Sequence, residues 1–511
     1  MPSPPGQDSP EQQKQTQNNH TQNKVYSGSV FMLITRLSIK SIGLISSIFL
    51  ARLLTPEDFG IVAITIAIYA FIELFGALAL GTALIQQKDN TPDDYNSAWT
   101  FNVLFGFAAA ICLALIAPLV ASYYADPRLQ NVLYVLAFVS LLSGFHNIGV
   151  INFQRDLNFR KELQLQLVPK VISFVITLSL AFILRNYWAL VLGVLCNQLV
   201  VTTYSFIMHS HRPQICFTSF NKLFKFSRWL LLNNVVHFIN DKVSQLIVGK
   251  ALSPSALGYL SLGKEIGQLP ASHIALPISK ATFPVYSRFQ DDPPELRKAY
   301  LNTVALTASL TIPSSIGIAM VAPLLVSVLL GEQWITMIPL LQLLALANMF
   351  FSITSNNSYI YLASGKPHIS FYINLSRLAV FFALFVPLLN YNGLIGIGQA
   401  RLGSTLIMLL VIQAIVIRFL NLPAMALLRV FIRPCIAGLV MALTVWAVQT
   451  TSSLPIPLLQ LLLEVLAGVI SYSLCTLGIW HLQGYPEGFE HNIFSRLRLK
   501  NFPPKSAGPM P

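Results

Sequence analysis

Apolar runs of about 20 residues, long enough for a helix to cross a bilayer, recur through nearly the whole of this 511-residue chain. That recurrence constrains the fold more than any motif does. Inside hydrocarbon a backbone must satisfy its own hydrogen bonds, so only helices and closed barrels span it. Barrel strands alternate in polarity over about 10 residues, and these runs do not. Hydrophobic residues make up 54% of the chain and charged ones 10%, where a soluble domain carries roughly 25% charge. The expected fold class is an all-α integral membrane protein.

Hydropathy places about 14 transmembrane helices. The first two run near Ser29–Leu50 and Phe59–Leu80, the seventh and eighth near Arg228–Gly249 and Tyr259–Thr282. The eleventh and twelfth run near Ile369–Leu389 and Leu394–Ile417, the last two near Met425–Val448 and Pro457–Trp480. With the tail before the first span taken as inside, about 22 Lys and Arg fall on the inner side and about 4 on the outer, a strong positive-inside bias. The outer four are Arg52, Arg128, Arg185 and Lys250. A miscounted span would reverse the sign downstream, and no reversal occurs. The net charge of +13 therefore reports topology rather than nucleic-acid binding, and both termini are expected in the cytoplasm. The polar residues 1–25 are expected to be a disordered cytoplasmic tail without a signal peptide, and 483–511 a second tail. The outer turns, such as Asn390-Tyr391-Asn392, are short and leave no room for an outer catalytic domain.

One turn occurs twice. Ala51-Arg52-Leu53-Leu54-Thr55-Pro56-Glu57-Asp58-Phe59-Gly60 aligns with Gly249-Lys250-Ala251-Leu252-Ser253-Pro254-Ser255-Ala256-Leu257-Gly258, keeping the cation, a leucine, the hydroxyl, the proline and the closing glycine. A weaker echo pairs Asn186-Tyr187-Trp188-Ala189-Leu190 with Asn390-Tyr391-Asn392-Gly393-Leu394. Internal repeats of this kind divide a chain. The expected lobes are residues 26–222 (helices 1–6) and 223–420 (helices 7–12), with 421–482 (helices 13 and 14) outside the repeat. Six spans is an even number, so the lobes are parallel and related by a pseudo-two-fold axis along the membrane normal, where parallel-repeat transporters place a pathway.

Charges inside spans are costly and mark function or pairing. Arg36 and Lys40 share one face of the first helix with Gly43 and Ser47. They either bind an anion in a wet cavity or form a buried ion pair with Glu73 or Asp241. The seventh helix carries a polar stripe, Asn233, His237, Asp241 and Gln245, suited to a cavity wall meeting sugar hydroxyls or a coupling ion, or to interhelical hydrogen bonding. Arg377 lies mid-span in the eleventh helix and Arg401 in the twelfth; an arginine fork matches phosphate. Asn356 adds a polar position in the tenth, and Glu464 is a further deep acid, in the fourteenth. Pro270 and Pro277 are expected to kink the eighth span. The five cysteines are scattered without metal-ligand spacing, and no metal site, resident cofactor, Walker A loop or catalytic constellation is expected. The coupling ion, H⁺ or Na⁺, is left open.

The stretch Phe49-Leu50-Ala51-Arg52-Leu53-Leu54-Thr55-Pro56-Glu57-Asp58-Phe59-Gly60-Ile61-Val62-Ala63 resembles the opening of the polysaccharide transporter family of oligosaccharide flippases, within the multidrug/oligosaccharidyl-lipid/polysaccharide exporter superfamily. The resemblance extends from about Ser29 to Trp480 and includes Phe153–Arg160, which looks like the loop after the fourth span in that family. It implies a V-shaped pair of six-helix lobes working by alternating access in the bacterial inner membrane. It implies a polyprenyl-pyrophosphate-linked oligosaccharide as substrate, for O-antigen, capsule or exopolysaccharide, with membrane lipids around it. A polysaccharide polymerase and a chain-length regulator would be its partners. No catalytic residue is carried over. Assigning Arg36, Lys40, Arg377 and Arg401 to the pyrophosphate rests on their depth and charge. The alternatives are a cation-coupled drug or metabolite antiporter of the same superfamily and a peptidoglycan-precursor flippase. An antiporter cavity would more often be acidic, and here the deep cations outnumber the deep acids. A membrane polymerase would need a large outer loop, and a scaffold would not need so many deep charges.

Overall fold

The structure, a computed structural model, describes residues 38–76, 84, 91–156, 158–218, 235, 238–452 and 454–483. Of Asn240 and Asp241 it describes the backbone alone. Every regular element among these residues is helical, as the apolar runs require. The chain divides into two compact units after Pro254, one helix beyond the 222/223 boundary read from the repeat.

In the first unit, α1 covers residues 38–53 and α2 Pro56–Gly76. The turn between them is the repeated motif, and its chemistry explains its spelling. Pro56 takes the first helical position, where its missing N–H costs nothing. The Asp58 carboxylate accepts the backbone N–H of Thr55 at 2.9 Å and its hydroxyl at 2.7 Å. In return the Asp58 N–H donates to Thr55 Oγ1 at 3.3 Å, closing a reciprocal cap. Gly60 is dictated by approach: a Cβ there would stand 1.7 Å from the carbonyl oxygen of Pro254, the proline of the second copy.

Next come α3 (Pro92–Tyr124), α4 (Arg128–Gly144), α5 (Phe159–Leu184) and α6 (Trp188–Met208). Helix α3 starts on a second cap of the same design, with the Thr91 N–H donating to Asp94 Oδ2 at 3.0 Å and Pro92 at the first helical position. After α4 the chain bends by 68° into Ile148–Arg155. Buried Asn147 builds that bend. Its Oδ1 accepts the Gly149 N–H at 2.9 Å, its Nδ2 donates to the His211 carbonyl at 2.9 Å, and its N–H donates to Ser205 Oγ at 3.0 Å. The bend carries Phe153, buried with Val150 and Leu165. The unit ends with the π turn Ile239–Val243 and α7 (Ser244–Ala251), which packs on α2.

The second unit starts after the first residue of α8 (Pro254–Gly267) and holds the rest of it, the π turn Ala271–Ala275, α9 (Leu276–Arg288), α10 (Pro293–Leu325), α11 (Ile338–Ser355), α12 (Asn357–Ala363) and α13 (Pro367–Leu420). Two further helices, α14 (Ala424–Thr451) and α15 (Pro457–Leu482), close it. The eighth span is broken where expected, the π turn following Pro270. Helix α13 is two helices joined at Gly393, whose φ of 54° and ψ of −125° no regular helix contains. It therefore comprises the eleventh and twelfth spans of the sequence reading. Helices α14 and α15 pack on α10, burying Val321, Val445 and Leu461 together.

Among the described residues nine helices are long and apolar enough to cross a membrane, or ten with the bent α4 pair. One of the nine is the folded-back α13. The expected fourteen is not reached within these residues. The fold class is nonetheless that of a multi-pass all-α membrane protein.

Candidate functional site

Two arginines stand out in the second unit. Arg377, half-buried on the first half of α13, places its guanidinium over the Phe351 ring of α11, 4.9 Å from the centroid. Arg401, on the second half of α13, lies over the ring of buried Phe381 at 5.5 Å. Phe381 sits in a small aromatic cluster, 5.2 Å from Phe385 and 5.4 Å from Phe382. Each arginine is thus set against an aromatic ring of the second unit. Among the described residues no carboxylate lies within ion-pair distance of Arg377. The local sequence makes this possible: α13 folds back at Gly393, so its two halves run side by side and both arginines face aromatic neighbours. Arg377 can meet an anion there, because an arginine over a ring keeps its in-plane N–H groups available.

The other sequence candidates are distributed differently. Asn356 is wholly buried at the break between α11 and α12. Neither of its amide atoms has a hydrogen-bond partner among the described residues. Its neighbour Asn357 accepts the Tyr300 hydroxyl at 2.9 Å. In the first unit Lys40 is exposed on α1, and nothing lies within 4 Å of a Cβ added at Gly43 on the same face. Glu73 accepts the Ser140 hydroxyl from α4 and a hydrogen bond from Tyr69, one turn earlier on α2. Its partners among the described residues are thus hydroxyls. Gln245 is buried on α7. Arg36, Asn233 and His237 lie outside the described residues, and Asp241 is described only as backbone in the π turn Ile239–Val243.

Three arrangements carry residues that sequence reasoning passed over. Phe351 and Phe381 are single aromatics in apolar runs and give no signal of their own. Glu464, a deep acid with no assigned partner in the sequence, is 1% exposed and accepts Gln449 Nε2 at 2.9 Å and Gln460 Nε2 at 3.2 Å. Gln460 lies four residues before it, a spacing that places both on one helix face. The third is the junction of turns around Asp126. Arg128 donates to Asp126 Oδ2 at 2.8 Å and pairs with Glu57. Burial works to raise the Asp126 pKa, but the side-chain and backbone hydrogen bonds and charge of Arg128 prevail and lower it. Among the described residues no group of His, Cys, Asp and Glu could hold a metal ion.

Fold and site define a polytopic helical membrane protein with two arginines set over aromatic rings within a membrane-length helix. Its backbone is similar to that of the solved "Lipid II flippase MurJ, inward closed conformation", with a TM-score of 0.73 and 16% identity over 88% of this chain and 99% of that one. It is also similar to an inward-facing multidrug resistance MATE family transporter, with a TM-score of 0.55 and 16% identity over 76% of this chain and 99% of that one. At these identities the likeness is one of fold. Residues 49–339 match the family described as "Polysaccharide biosynthesis protein", and the chain belongs to that family. The lipopolysaccharide biosynthesis protein WzxC of Escherichia coli is 24% identical over 380 residues, covering 72% of this chain and 75% of WzxC. The teichuronic acid biosynthesis protein TuaB of Bacillus subtilis is 20% identical over 353 residues, covering 68% and 73%. The succinoglycan biosynthesis transport protein ExoT of Rhizobium meliloti is 23% identical over 300 residues, covering 58% and 61%.

Proposed function

We propose that this protein is a flippase that moves polyprenyl-pyrophosphate-linked oligosaccharide units across the bacterial inner membrane for surface polysaccharide synthesis. The observation that carries the reading is Arg377, a cation within a membrane-length helix, set over Phe351 with no carboxylate within ion-pair distance among the described residues. A cation at membrane depth is retained for a purpose, and a pyrophosphate matches its donor fork. Family membership and the lipopolysaccharide, teichuronic acid and succinoglycan relatives support the glycan half of the reading.

In this mechanism Arg377 and Arg401 hold the pyrophosphate; Arg36 and Lys40 are further candidates for the anion by their depth and charge in the sequence. The polar positions Asn233, His237, Asp241, Gln245 and Asn356 serve the sugars or the coupling ion. Glu73 is the candidate for ion coupling, held by Ser140 and Tyr69. The lobes 26–222 and 223–420 open alternately to the two sides, with both termini in the cytoplasm. Transport involves no covalent step. A polymerase and a chain-length regulator receive the flipped unit.

The test is a strain lacking this protein. Lipid-linked repeat units should accumulate while one surface glycan is lost, and the missing glycan names the substrate. Unchanged lipid-linked pools with an intact surface and new sensitivity to cationic compounds contradict the reading and favour the antiporter.

A further inference from the structure

We infer that the corner of the first unit where the bend after α4 meets the segment after α6 is a site for an anionic phospholipid of the cytoplasmic leaflet. Its headgroup meets Arg160, Lys161 and Arg212, and its chains lie along Ile207, Ile215 and Phe217. The inference uses the orientation assigned by the charge bias and does not depend on the flippase reading.

The corner is held together by contacts that leave its charges outward. A Cβ at Gly149, in the bend, would stand 2.5 Å from His209 Nδ1, so the segment after α6 is seated directly on the bend. The His209 ring lies 5.6 Å from that of buried Phe153, and the His211 ring 5.9 Å from that of Tyr95. Lys161 reaches from the first turn of α5 over the same Phe153 ring, its Nζ 5.2 Å from the centroid. Arg212 turns back onto the end of α6. Its Nη1 donates to the carbonyls of His209 at 2.9 Å, His211 at 3.1 Å and Phe206 at 3.4 Å. Phe153 and His209 thus stand between Lys161 and Arg212 and bring them to one corner, with Arg160 beside Lys161.

Arg160, Lys161 and Arg212 are exposed, and among the described residues none has a carboxylate within ion-pair distance. Two acids adjoin them in sequence. Glu162 is buried and accepts Gln154 Nε2 at 2.9 Å and Gln166 Nε2. Asp156 is exposed and offsets one charge. Arg155 donates to the Tyr95 hydroxyl at 3.3 Å and is not counted in the site. Three exposed cations against one exposed carboxylate leave the corner positive, which attracts anionic lipid. Helix stability does not account for Arg160 and Lys161, because the dipole disfavours cations in a first turn.

The apolar half lies alongside. Ile207, 72% exposed, follows Leu199 and Thr203 on the exposed face of α6. Beyond Arg212 the chain turns its Gln214 and Cys216 N–H groups to Asn96 and Thr100 of α3, while Ile215 and Phe217 are 75% and 60% exposed. Backbone amides bonded to protein with large apolar side chains outward suit hydrocarbon and are costly in water. Arg212 bonds the Phe206 carbonyl, one residue from Ile207, so charge and apolar surface meet as headgroup and acyl chain do.

The measurement is native mass spectrometry of the purified full chain in detergent, titrated with phosphatidylglycerol or phosphatidylcholine. The parent protein retains a phosphatidylglycerol that phosphatidylcholine does not replace. Arg160→Gln, Lys161→Gln and Arg212→Gln each weaken that binding by about 5-fold, and the three together by about 100-fold. The charge-keeping triple variant Arg160→Lys, Lys161→Arg, Arg212→Lys stays within about 2-fold of the parent. Ile215→Ser with Phe217→Ser weakens binding with every charge intact. Lys298→Gln, which removes an exposed cation of the second unit, leaves it unchanged. Parent-like binding by the triple Gln variant overturns the inference. So does equal affinity for phosphatidylcholine, or an equal loss in the charge-keeping variant or in Lys298→Gln. Displacement by glycerol phosphate at the lipid's own concentration overturns it by making the ligand a free phosphate. Tighter binding of polyprenyl phosphate at the same residues overturns it by making the corner a substrate site. If Arg212→Gln does not fold, Arg160→Gln with Lys161→Gln carries the test, with a loss of about 25-fold expected and parent-like binding overturning it.

Discussion

The Asp58 carboxylate accepts the backbone N–H of Tyr187 at 2.8 Å across 129 residues of chain. Its other oxygen caps α2 through Thr55. One buried side chain thus closes its own helix and fastens the turn between α5 and α6. The second copy of the motif has Ala256 in this place and Ser255 in place of Glu57, so the fastening belongs to the first unit alone.

Asp58→Ala removes a cap and leaves the Tyr187 amide without its partner. Loss of the cap costs about 1 kcal/mol, and an unpaired amide about 1–3 kcal/mol more. Glu57→Ala should cost far less, about 0–1 kcal/mol, because Glu57 and Arg128 are 46% and 42% exposed. Thermal unfolding of the two purified variants should rank them in that order.

Glu464→Ala takes one acceptor from each of two glutamine amides, which keep only the Met320 carbonyl and the Ser452 hydroxyl. At about 1–3 kcal/mol for each unpaired donor, it should be among the most destabilising single changes in α15. Glu464→Gln keeps an oxygen for one of them and should lose about half as much. The apparent melting temperatures of both in detergent are the check.

Gly393→Ala forces a Cβ onto a residue with φ of 54° and ψ of −125°. Such backbone strain costs of order 1–3 kcal/mol. The expected effect is lower stability of the α13 hairpin, read as faster amide exchange at its tip than in the parent protein.

The segment after α6 should be pH-sensitive. It lies extended along α3, with the Gln214 N–H donating to Asn96 Oδ1 at 3.1 Å and the Cys216 N–H to Thr100 Oγ1 at 2.9 Å. Burial is the largest cause lowering the His209 pKa, joined by the charges of His211, Lys161 and Arg212 and opposed by Asp156. Burial and then Arg212 lower that of His211. Both histidines therefore bind protons more readily when the segment is released than when it is docked. Docking is fully stable above the ordinary histidine pKa of about 6.5 and weakens as pH falls through it. Hydrogen exchange at Gln214 and Cys216, corrected for its intrinsic pH dependence, should accelerate between about pH 7 and 5. Unchanged protection over that window contradicts the expectation.

Much of this architecture was legible in the residues because hydropathy and turn chemistry are local. The spans of α5, α6, α14 and α15 follow from apolar length, and the break after Pro270 from the missing amide. The cap at Thr55-Pro56-Glu57-Asp58 has a twin in Thr91-Pro92-Asp93-Asp94, a pattern readable in advance. What was not legible depends on how helices rotate against one another. Nothing around Phe351 says that it faces Arg377, and nothing around Gln449 says that it meets Glu464. The bend at Asn147 was hidden for another reason: it contains no proline, and its cause is one asparagine bonding to segments about 60 residues away.

The most direct test of the central claim is transport itself. The protein is reconstituted in liposomes with a polyprenyl-pyrophosphate-linked oligosaccharide, and the appearance of the sugar on the opposite face is timed. The account predicts movement that requires the protein. Loss of a charged hydrogen bond is worth about 1.5–3 kcal/mol, so Arg377→Ala should slow it by about 10- to 150-fold. Movement at the same rate in protein-free liposomes, or in liposomes holding Arg377→Ala, would contradict it.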